Sequence, residues 1–142
     1  MKILILCTGN SCRSQMAQGF LQSFDDRIEV KSAGTEPGTE VNRRAVQVMA
    51  EAGIDISGHY PKSVDQFINE EWDYVITVCN HANETCPVFT GKVRNRLHIG
   101  FEDPSFKTGP DDYIMNEFRR VRDLIREEFY KLYIEKIKPE LK

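Results

Sequence analysis

The residues with the clearest chemical character lie near the start of the chain. Cys7 and Arg13 enclose five residues, in the order Cys-Thr-Gly-Asn-Ser-Cys-Arg-Ser. An apolar run precedes this segment and a helix-like stretch follows it. The turn between them is expected to aim several backbone N–H groups and the positive end of the helix dipole at one point. A cysteine in that field is expected to be a thiolate, which is its nucleophilic form, so the spacing predicts chemistry on a tetrahedral oxyanion.

Three side chains of this loop have separate predicted tasks. Arg13 carries a planar fork of donors that suits two oxygens of a tetrahedral anion, which a lysine cannot match. Ser14 can donate a hydrogen bond to the Cys7 sulfur, and Asn10 can brace the loop because asparagine tolerates unusual backbone angles. The alternative is an ordinary strand-to-helix turn around a buried thiol, which this combination of residue types disfavours. The predicted oxyanion loop comprises Thr8, Gly9, Asn10, Ser11, Cys12, Arg13 and Ser14.

An aspartate farther along the chain is placed to assist the same chemistry. Asp103 and Pro104 follow the fourth strand-like segment, so they are expected at the same edge of the sheet as Cys7. An aspartate there can protonate a leaving oxygen as a general acid, while the proline stiffens the loop. Taken alone, Asp-Pro is a common turn sequence. Beside the Cys7 loop it predicts a general acid.

Two further cysteines, Cys79 and Cys86, are seven residues apart. In a helix their α-carbons would stand about 10 Å apart, which exceeds the limit of about 7 Å for a disulfide. A bond between them therefore requires the segment to unwind, which the weak helix formers between them and Pro87 make easy. The alternative is two buried cysteines that never meet. Cys12, by contrast, is expected to be a packing residue inside the loop.

Alternating strand-like and helix-like segments are expected to position these residues. Strand signals lie at residues 2–6, 28–31, 74–78 and 93–99. Helical patterns lie at residues 16–24, 45–52 with Gly53 as the stop, 64–69, and from Asp111 or Asp112 to a point before Pro139. This alternation favours an α/β, three-layer, flavodoxin-like domain with a four-stranded parallel sheet and helices on both faces. Ligand sites in such sheets lie beyond the carboxyl ends of the strands, so Cys7 and Cys79 are expected on one rim.

Length and composition bound the rest of the prediction. At 142 residues the chain is expected to form one domain, residues 1–142. Its 19 basic and 22 acidic residues give a net charge of −3, which offers no reason to expect nucleic acid or an anionic membrane as a partner. The apolar opening is shorter than the about 7–15 residues of a signal core, and no run approaches the about 18 apolar residues of a membrane span. We expect a cytoplasmic monomer with reduced thiols, and no His/Cys spacing predicts a metal or cofactor site.

These residues together resemble the thioredoxin-coupled arsenate reductases, a family built on the low-molecular-weight tyrosine phosphatase fold. The resemblance covers nearly the whole chain and rests on residues 7–17, 32–34, 53–57 and 100–104 together with Cys79 and Cys86. The set of three cysteines is specific to the reductase branch. The resemblance implies reduction of arsenate to arsenite in arsenic detoxification, with phosphate or sulfate as competing oxyanions.

The family mechanism, carried onto this sequence, gives each cysteine one step. Cys7 attacks arsenate held by Arg13 and the loop N–H groups, and Asp103 assists the departing hydroxide. Cys79 then attacks Cys7, which releases arsenite and leaves a disulfide between the two cysteines. Cys86 attacks Cys79 in turn, and reduced thioredoxin resolves the exposed disulfide by thiol–disulfide exchange. Glutaredoxin or another thiol stays open as the electron donor.

One departure from the family concerns potassium. Family members that bind this ion beside the loop use an Asn, a Glu, a Ser and an Asp. Here Asn10 and Ser32 are kept, but the Glu position is Gln18 and the Asp position is Lys62. We expect Lys62 to replace the cation and to bond Asn10 or the nearby backbone. The alternative is that Lys62 is an ordinary surface residue.

Two other functions stay open at the level of sequence. A low-molecular-weight phosphatase acting on phosphotyrosine would use the same Cys7, Arg13 and Asp103. Against it, Ser105, Phe106 and Lys107 follow where such phosphatases carry a tyrosine pair, so only a weak phosphatase side activity is expected. A non-catalytic oxyanion sensor, whose redox segment recruits a partner, would bind sulfate or phosphate without turnover.

Overall fold

The computed structural model describes residues 1–80 and 89–141. Among these residues, four strands form one parallel sheet: β1 (Lys2–Cys7), β2 (Glu29–Gly34), β3 (Trp72–Thr77) and β4 (Val93–His98). Their order across the sheet is β2-β1-β3-β4, and every neighbouring pair is parallel. The predicted α/β fold class is confirmed. The predicted and observed strand boundaries differ most at β2. This strand was predicted to end at residue 31, but it continues to Gly34, which pairs with Cys7.

In the described part of the chain, three α-helices accompany the sheet: α1 (Arg13–Phe24), α2 (Arg43–Glu51) and α3 (Asp111–Leu132). At the start of α2, the Asn42 side chain accepts hydrogen bonds from the N–H groups of the first helical turn. Gly53 has a φ of 81° just beyond its end, which only glycine adopts without strain, so the predicted stop is confirmed.

One helical prediction needs correction. The segment predicted as a helix over residues 64–69 forms only the single 3₁₀ turn Val64–Gln66. The last α-helix ends before Pro139, as the sequence predicts, with Leu132 as its final residue. Beyond it the chain continues through a π turn, Tyr133–Ile137, and a 3₁₀ turn, Lys138–Glu140. Pro139 lies in the first turn of that last element, where a proline costs no hydrogen bond.

Strand β1 lies at the centre of the core and is buried on both faces. Ile3 and Ile5 belong to one apolar cluster, which also takes the buried side chains of α1, α2 and α3. Leu4 and Leu6 belong to a second cluster on the opposite face, with Phe67, Trp72 and Phe89. This double burial explains why β1 reads as a continuous apolar run. Phe67, which helps to cover this second face, directly follows the 3₁₀ turn Val64–Gln66.

The strand order determines where a ligand can be approached by several elements. The chain leaves β1 toward β2 on one side and returns to β3 on the other, so the carboxyl ends of β1 and β3 flank the switch point. Cys7 is the last residue of β1, and Cys79 lies two residues beyond the end of β3. A hydrogen bond of 2.9 Å from Val78 N to Leu6 O ties the two strand ends together. In the described part of the chain, no helix is long and apolar enough to cross a membrane.

Candidate active site

The loop between β1 and α1 turns its carbonyl groups away from the cleft. Three of them accept hydrogen bonds from backbone N–H groups of the segment that follows β2. Each peptide unit is planar and trans, so a carbonyl that points outward leaves the next N–H pointing inward. The N–H groups of Gly9, Asn10 and Cys12 are thereby directed to the inside of the loop. The pairs are Thr8 O with Glu36 N at 2.9 Å, Gly9 O with Gly38 N at 3.0 Å, and Ser11 O with Asn42 N at 2.8 Å.

Gly34, at the end of β2, allows this close approach. A β-carbon at this position would lie 2.3 Å from the backbone oxygen of Thr8, which no side chain can tolerate without a backbone shift. The glycine of the sequence segment 32–34 is therefore a spacing requirement: it lets the outer wall of the loop lie against β2.

The Cys7 sulfur accepts hydrogen bonds from inside the loop. The N–H of Asn10 lies 3.2 Å from the Cys7 Sγ, and the Ser14 Oγ lies 2.9 Å from it. Asn10 Nδ2 donates to the same Ser14 oxygen at 2.8 Å, which leaves the Ser14 proton available to the sulfur. Asn10 itself has a φ of 51°, a left-handed conformation that asparagine tolerates. Two hydrogen bonds from inside the loop thus converge on the Cys7 sulfur.

Arg13 opens helix α1 and is 3% exposed. Its guanidinium donates to the Phe101 carbonyl at 3.1 Å and lies 3.5 Å from the Asp103 Oδ2. The guanidinium thus connects the oxyanion loop with the segment that follows β4. Asp103 is thereby brought to the edge of the loop, as the sequence predicts.

Asp103 caps a short turn with one of its two oxygens. Its Oδ1 accepts hydrogen bonds from the Ser105 N–H at 2.9 Å and the Ser105 hydroxyl at 2.7 Å, at the start of the 3₁₀ turn Pro104–Phe106. The Oδ2 stays on the side of Arg13. A cavity of about 330 Å³ is lined by the predicted loop residues from Cys7 to Arg13 together with Asp103, Ser105 and the exposed Phe106. Ser14 is fully buried, and its hydroxyl contacts two of these lining residues, Cys7 and Asn10.

The other cysteines differ sharply from Cys7. Cys12 is a free, buried thiol, and its pKa is raised well above the usual range by burial and by the negative charges of Asp103 and Cys7. It therefore stays protonated, as expected of a packing residue. Cys79 is fully buried and disulfide-bonded, so the expectation of reduced thiols is wrong for this cysteine in the present structure. Cys86 lies outside the described residues, as does the rest of segment 81–88.

Lys62 is nearly buried, at 9% exposure, so it does not resemble an ordinary surface lysine. Its backbone N–H donates to Asn10 Oδ1 at 2.9 Å. Its ammonium donates to the Tyr60 carbonyl at 2.9 Å and lies 4.8 Å above the centre of the Tyr60 ring. Burial and the charge of Lys31 lower the pKa of Lys62. The ammonium thus bonds nearby backbone, one of the two partners expected of it.

The donor set around Lys62 does not suit a potassium ion. Ser32 donates its hydroxyl to Gln18 Oε1 at 2.5 Å, so these two side chains satisfy each other. Lys62 carries an ammonium and Gln18 a neutral amide, so neither side chain offers the carboxylate that would attract a cation. A site for a cation needs oxygen ligands, preferably anionic ones, rather than a positive charge.

Two residues of this region were missed by sequence reasoning. Gln15 is fully buried, and its Nε2 lies 3.0 Å from Asn10 O, 3.1 Å from Asn10 Oδ1 and 3.1 Å from Tyr60 O. His59 Nδ1 lies 3.0 Å from Gln15 Oε1. The sequence did offer a signal for Gln15, because it is a polar residue at a position of α1 that faces the protein interior. His59 was passed over because nothing near it in the sequence suggested a partner.

The chain is similar in sequence and in structure to known proteins over most of its length. The family described as low molecular weight phosphotyrosine protein phosphatase matches residues 2–142. An arsenate reductase from Halalkalibacterium halodurans is 46% identical over 87% of this chain and 88% of its own length. A solved structure described as an arsenate reductase in the phosphate binding state superposes with a TM-score of 0.78 at 31% identity, over 94% of this chain and 97% of that one. A thioredoxin-dependent arsenate reductase from Corynebacterium glutamicum has a TM-score of 0.60 at 26% identity, over 95% of this chain and 63% of that one.

Proposed function

The chain belongs to the low molecular weight phosphotyrosine protein phosphatase family, and we propose that it reduces arsenate to arsenite through a relay of three cysteines. One observation carries the proposal. Cys7 lies in an oxyanion loop with two donors on its sulfur, and a second cysteine, Cys79, lies on the same rim of the sheet. Hydrolysis of a phosphate ester needs no second cysteine there. The relatives described as arsenate reductases support the same reaction.

The first step is an attack of the Cys7 thiolate on arsenic. Arsenate oxygens accept hydrogen bonds from the inward N–H groups of the loop and from the Arg13 guanidinium, which neutralise the charge of the anion. A sulfur–arsenic bond forms as one arsenic–oxygen bond breaks. The departing hydroxide takes a proton from Asp103 and leaves as water.

The remaining steps transfer the oxidation to the cysteines. The Cys79 thiolate attacks the Cys7 sulfur, and the electron pair of the sulfur–arsenic bond passes to arsenic, which leaves as arsenite. Cys86 then attacks Cys79, freeing Cys7, and thioredoxin reduces the resulting disulfide. In total, one arsenate and two thiols give one arsenite, one disulfide and one water. The thioredoxin-dependent relative supports this choice of reductant.

The test couples arsenate to NADPH consumption through thioredoxin and thioredoxin reductase. We expect steady NADPH consumption that requires both arsenate and thioredoxin, with arsenite formed in equal amount. Replacing thioredoxin by glutaredoxin and glutathione in a parallel assay identifies the electron donor. No arsenite from the fully reduced protein would contradict the proposal.

Phosphate ester hydrolysis is a second candidate, because Cys7, Arg13 and Asp103 surround one cavity. The exposed Phe106 at its mouth is the only aromatic among its described lining residues. Hydrolysis of para-nitrophenyl phosphate is measured beside the reductase assay. A phosphatase would hydrolyse this ester rapidly and reduce no arsenate. An oxyanion sensor would bind inorganic phosphate and catalyse neither reaction.

Replacing Arg13 by lysine is expected to lower kcat/KM for arsenate about 10²-fold or more. Lysine cannot offer two parallel donors, and it leaves the Phe101 carbonyl without its present donor. Calorimetry should show weaker binding of inorganic phosphate to the same variant. Arg44→Lys, on the surface of α2, serves as the control. Unchanged kinetics of Arg13→Lys would rule out the fork as the anion clamp.

The activity is expected to be independent of potassium, because the ammonium of Lys62 stands where a cation would bind. The rate of arsenate reduction should be the same in sodium and potassium salts at equal ionic strength. Lys62→Met should lower the rate in both salts, since the Tyr60 carbonyl loses its charged donor and keeps only the amide of Gln15. A several-fold rise of the wild-type rate in potassium would count against this role.

A further inference from the structure

Four charged side chains form a closed ring beside Asp103. Glu102, Lys107, Glu117 and Arg120 alternate in sign, and each contacts the next. Lys107 Nζ lies 3.3 Å from Glu102 and 3.4 Å from Glu117, Arg120 lies 3.1 Å from Glu117, and Arg120 also contacts Glu102 directly. We call these four residues the ion ring.

The ion ring joins the loop of Asp103 to helix α3 at both ends. Glu102 directly precedes Asp103, and Lys107 directly follows the 3₁₀ turn Pro104–Phe106. Their two partners, Glu117 and Arg120, are one turn apart on α3, whose neighbouring Phe118 is fully buried in the core. The loop is therefore attached to a rigid helix rather than to another loop.

The geometry of the ring separates it from ordinary surface ion pairs. A single exposed pair contributes little, because water screens it and two long side chains lose freedom. Here every member has two partners, and Glu117 is only 16% exposed. Hydrogen bonds from Arg120 and then Lys107 lower the pKa of Glu102, so the ring stays fully charged near neutral pH.

We propose that the ion ring is a positioning device for Asp103, holding the Oδ2 of this general acid beside Arg13 and the leaving oxygen. The inference rests on the proposed function, in which Asp103 donates a proton. Within the described residues, the Arg13 contacts also hold this loop, through the Phe101 carbonyl and Asp103 itself. Those contacts involve residues before the Pro104–Phe106 turn. The ion ring also holds Lys107, the residue after the turn.

Helix α3 offers a matched pair of variants. Arg120→Gln removes one member of the ring. Arg119→Gln removes the neighbouring arginine, which pairs at 2.8 Å with Glu51 of α2. Its hydrogen bonds and ion pairs within the described residues go to Glu51 and Asn116, which lie outside the Asp103 loop. Both changes remove one positive charge from α3. Arg120→Lys keeps the charge and serves as the rescue variant.

The kinetic readout separates positioning from general loss of structure. We expect Arg120→Gln to lower kcat for arsenate about tenfold with little change in KM, because the oxyanion loop is left intact. Arg119→Gln should match wild type, and Arg120→Lys should recover most of the rate. In an Asp103→Asn background, Arg120→Gln should have no further effect, since the group it positions is gone. Equal losses in both backgrounds would overturn the proposal.

A second readout needs no turnover. Amide hydrogen exchange at Ser105 and Lys107, whose N–H groups are bonded within the turn, should accelerate about tenfold in Arg120→Gln and not in Arg119→Gln. Unchanged exchange, or faster exchange with an unchanged kcat, would overturn the positioning role. A wild-type protein that reduces no arsenate would refute the proposed function alone, and the exchange rates would still decide whether the ring holds the loop.

Discussion

Replacing Cys7 by serine is expected to lower arsenate reduction by at least about 10⁴-fold. The serine hydroxyl is not ionised near neutral pH, and it cannot form the disulfide that the second step requires. The variant should still fold, since serine fits the space and keeps the contact with Ser14. It should also still bind inorganic phosphate, because the N–H groups of the loop and Arg13 are unchanged.

Cys12→Ser is the matched control for this prediction. Cys12 lies in the same loop, is buried to a similar extent and contributes its backbone N–H, which serine retains. Its raised pKa keeps it protonated, so its sulfur takes no part in the attack. We expect this variant to keep most of the wild-type rate. A Cys7→Ser protein as active as Cys12→Ser would exclude Cys7 as the nucleophile.

Replacing Cys79 or Cys86 by serine is expected to abolish multiple turnover. Without Cys79, arsenic stays attached to Cys7, because the thiol that accepts the oxidation is gone and the nearby Cys12 thiol stays protonated. Without Cys86, the oxidised protein is left with a disulfide between Cys7 and Cys79, and Cys79 is fully buried. Buried disulfides react slowly with an external thiol because access limits the exchange.

The measurement is NADPH consumption with arsenate, thioredoxin and thioredoxin reductase, for wild type and both serine variants. Hydrolysis of para-nitrophenyl phosphate in parallel shows whether the oxyanion loop is intact, because that reaction needs Cys7 and neither of the other two. We expect the reductase activity to vanish and the phosphatase activity to survive. Variants that reduce arsenate as fast as wild type would show that the relay is wrong.

The sequence was most informative where local chemistry determines the structure. The apolar run of β1, the Gly-Asn turn and the start of α1 follow from residue types within a few positions of each other. Those residues place Cys7, Arg13 and Ser14 together without help from the rest of the chain. Alternation of strands and helices then predicted the parallel sheet, and with it the rim shared by Cys7 and Cys79. The segment 64–69 was misjudged because its few apolar residues fit a helix as well as a single turn.

The tertiary structure decided which distant groups complete the site. Gln15 supports Asn10 and is itself bonded to His59, 44 positions away in the sequence, and Gly34 matters only because Thr8 folds against it. The ion ring likewise joins Glu102 to a helix that begins nine residues later. Such contacts depend on how the elements pack, and packing brings together side chains whose positions along the chain carry no common pattern. The loop that carries Cys7 and Arg13 was therefore readable from the sequence, whereas the groups that hold it in place were not.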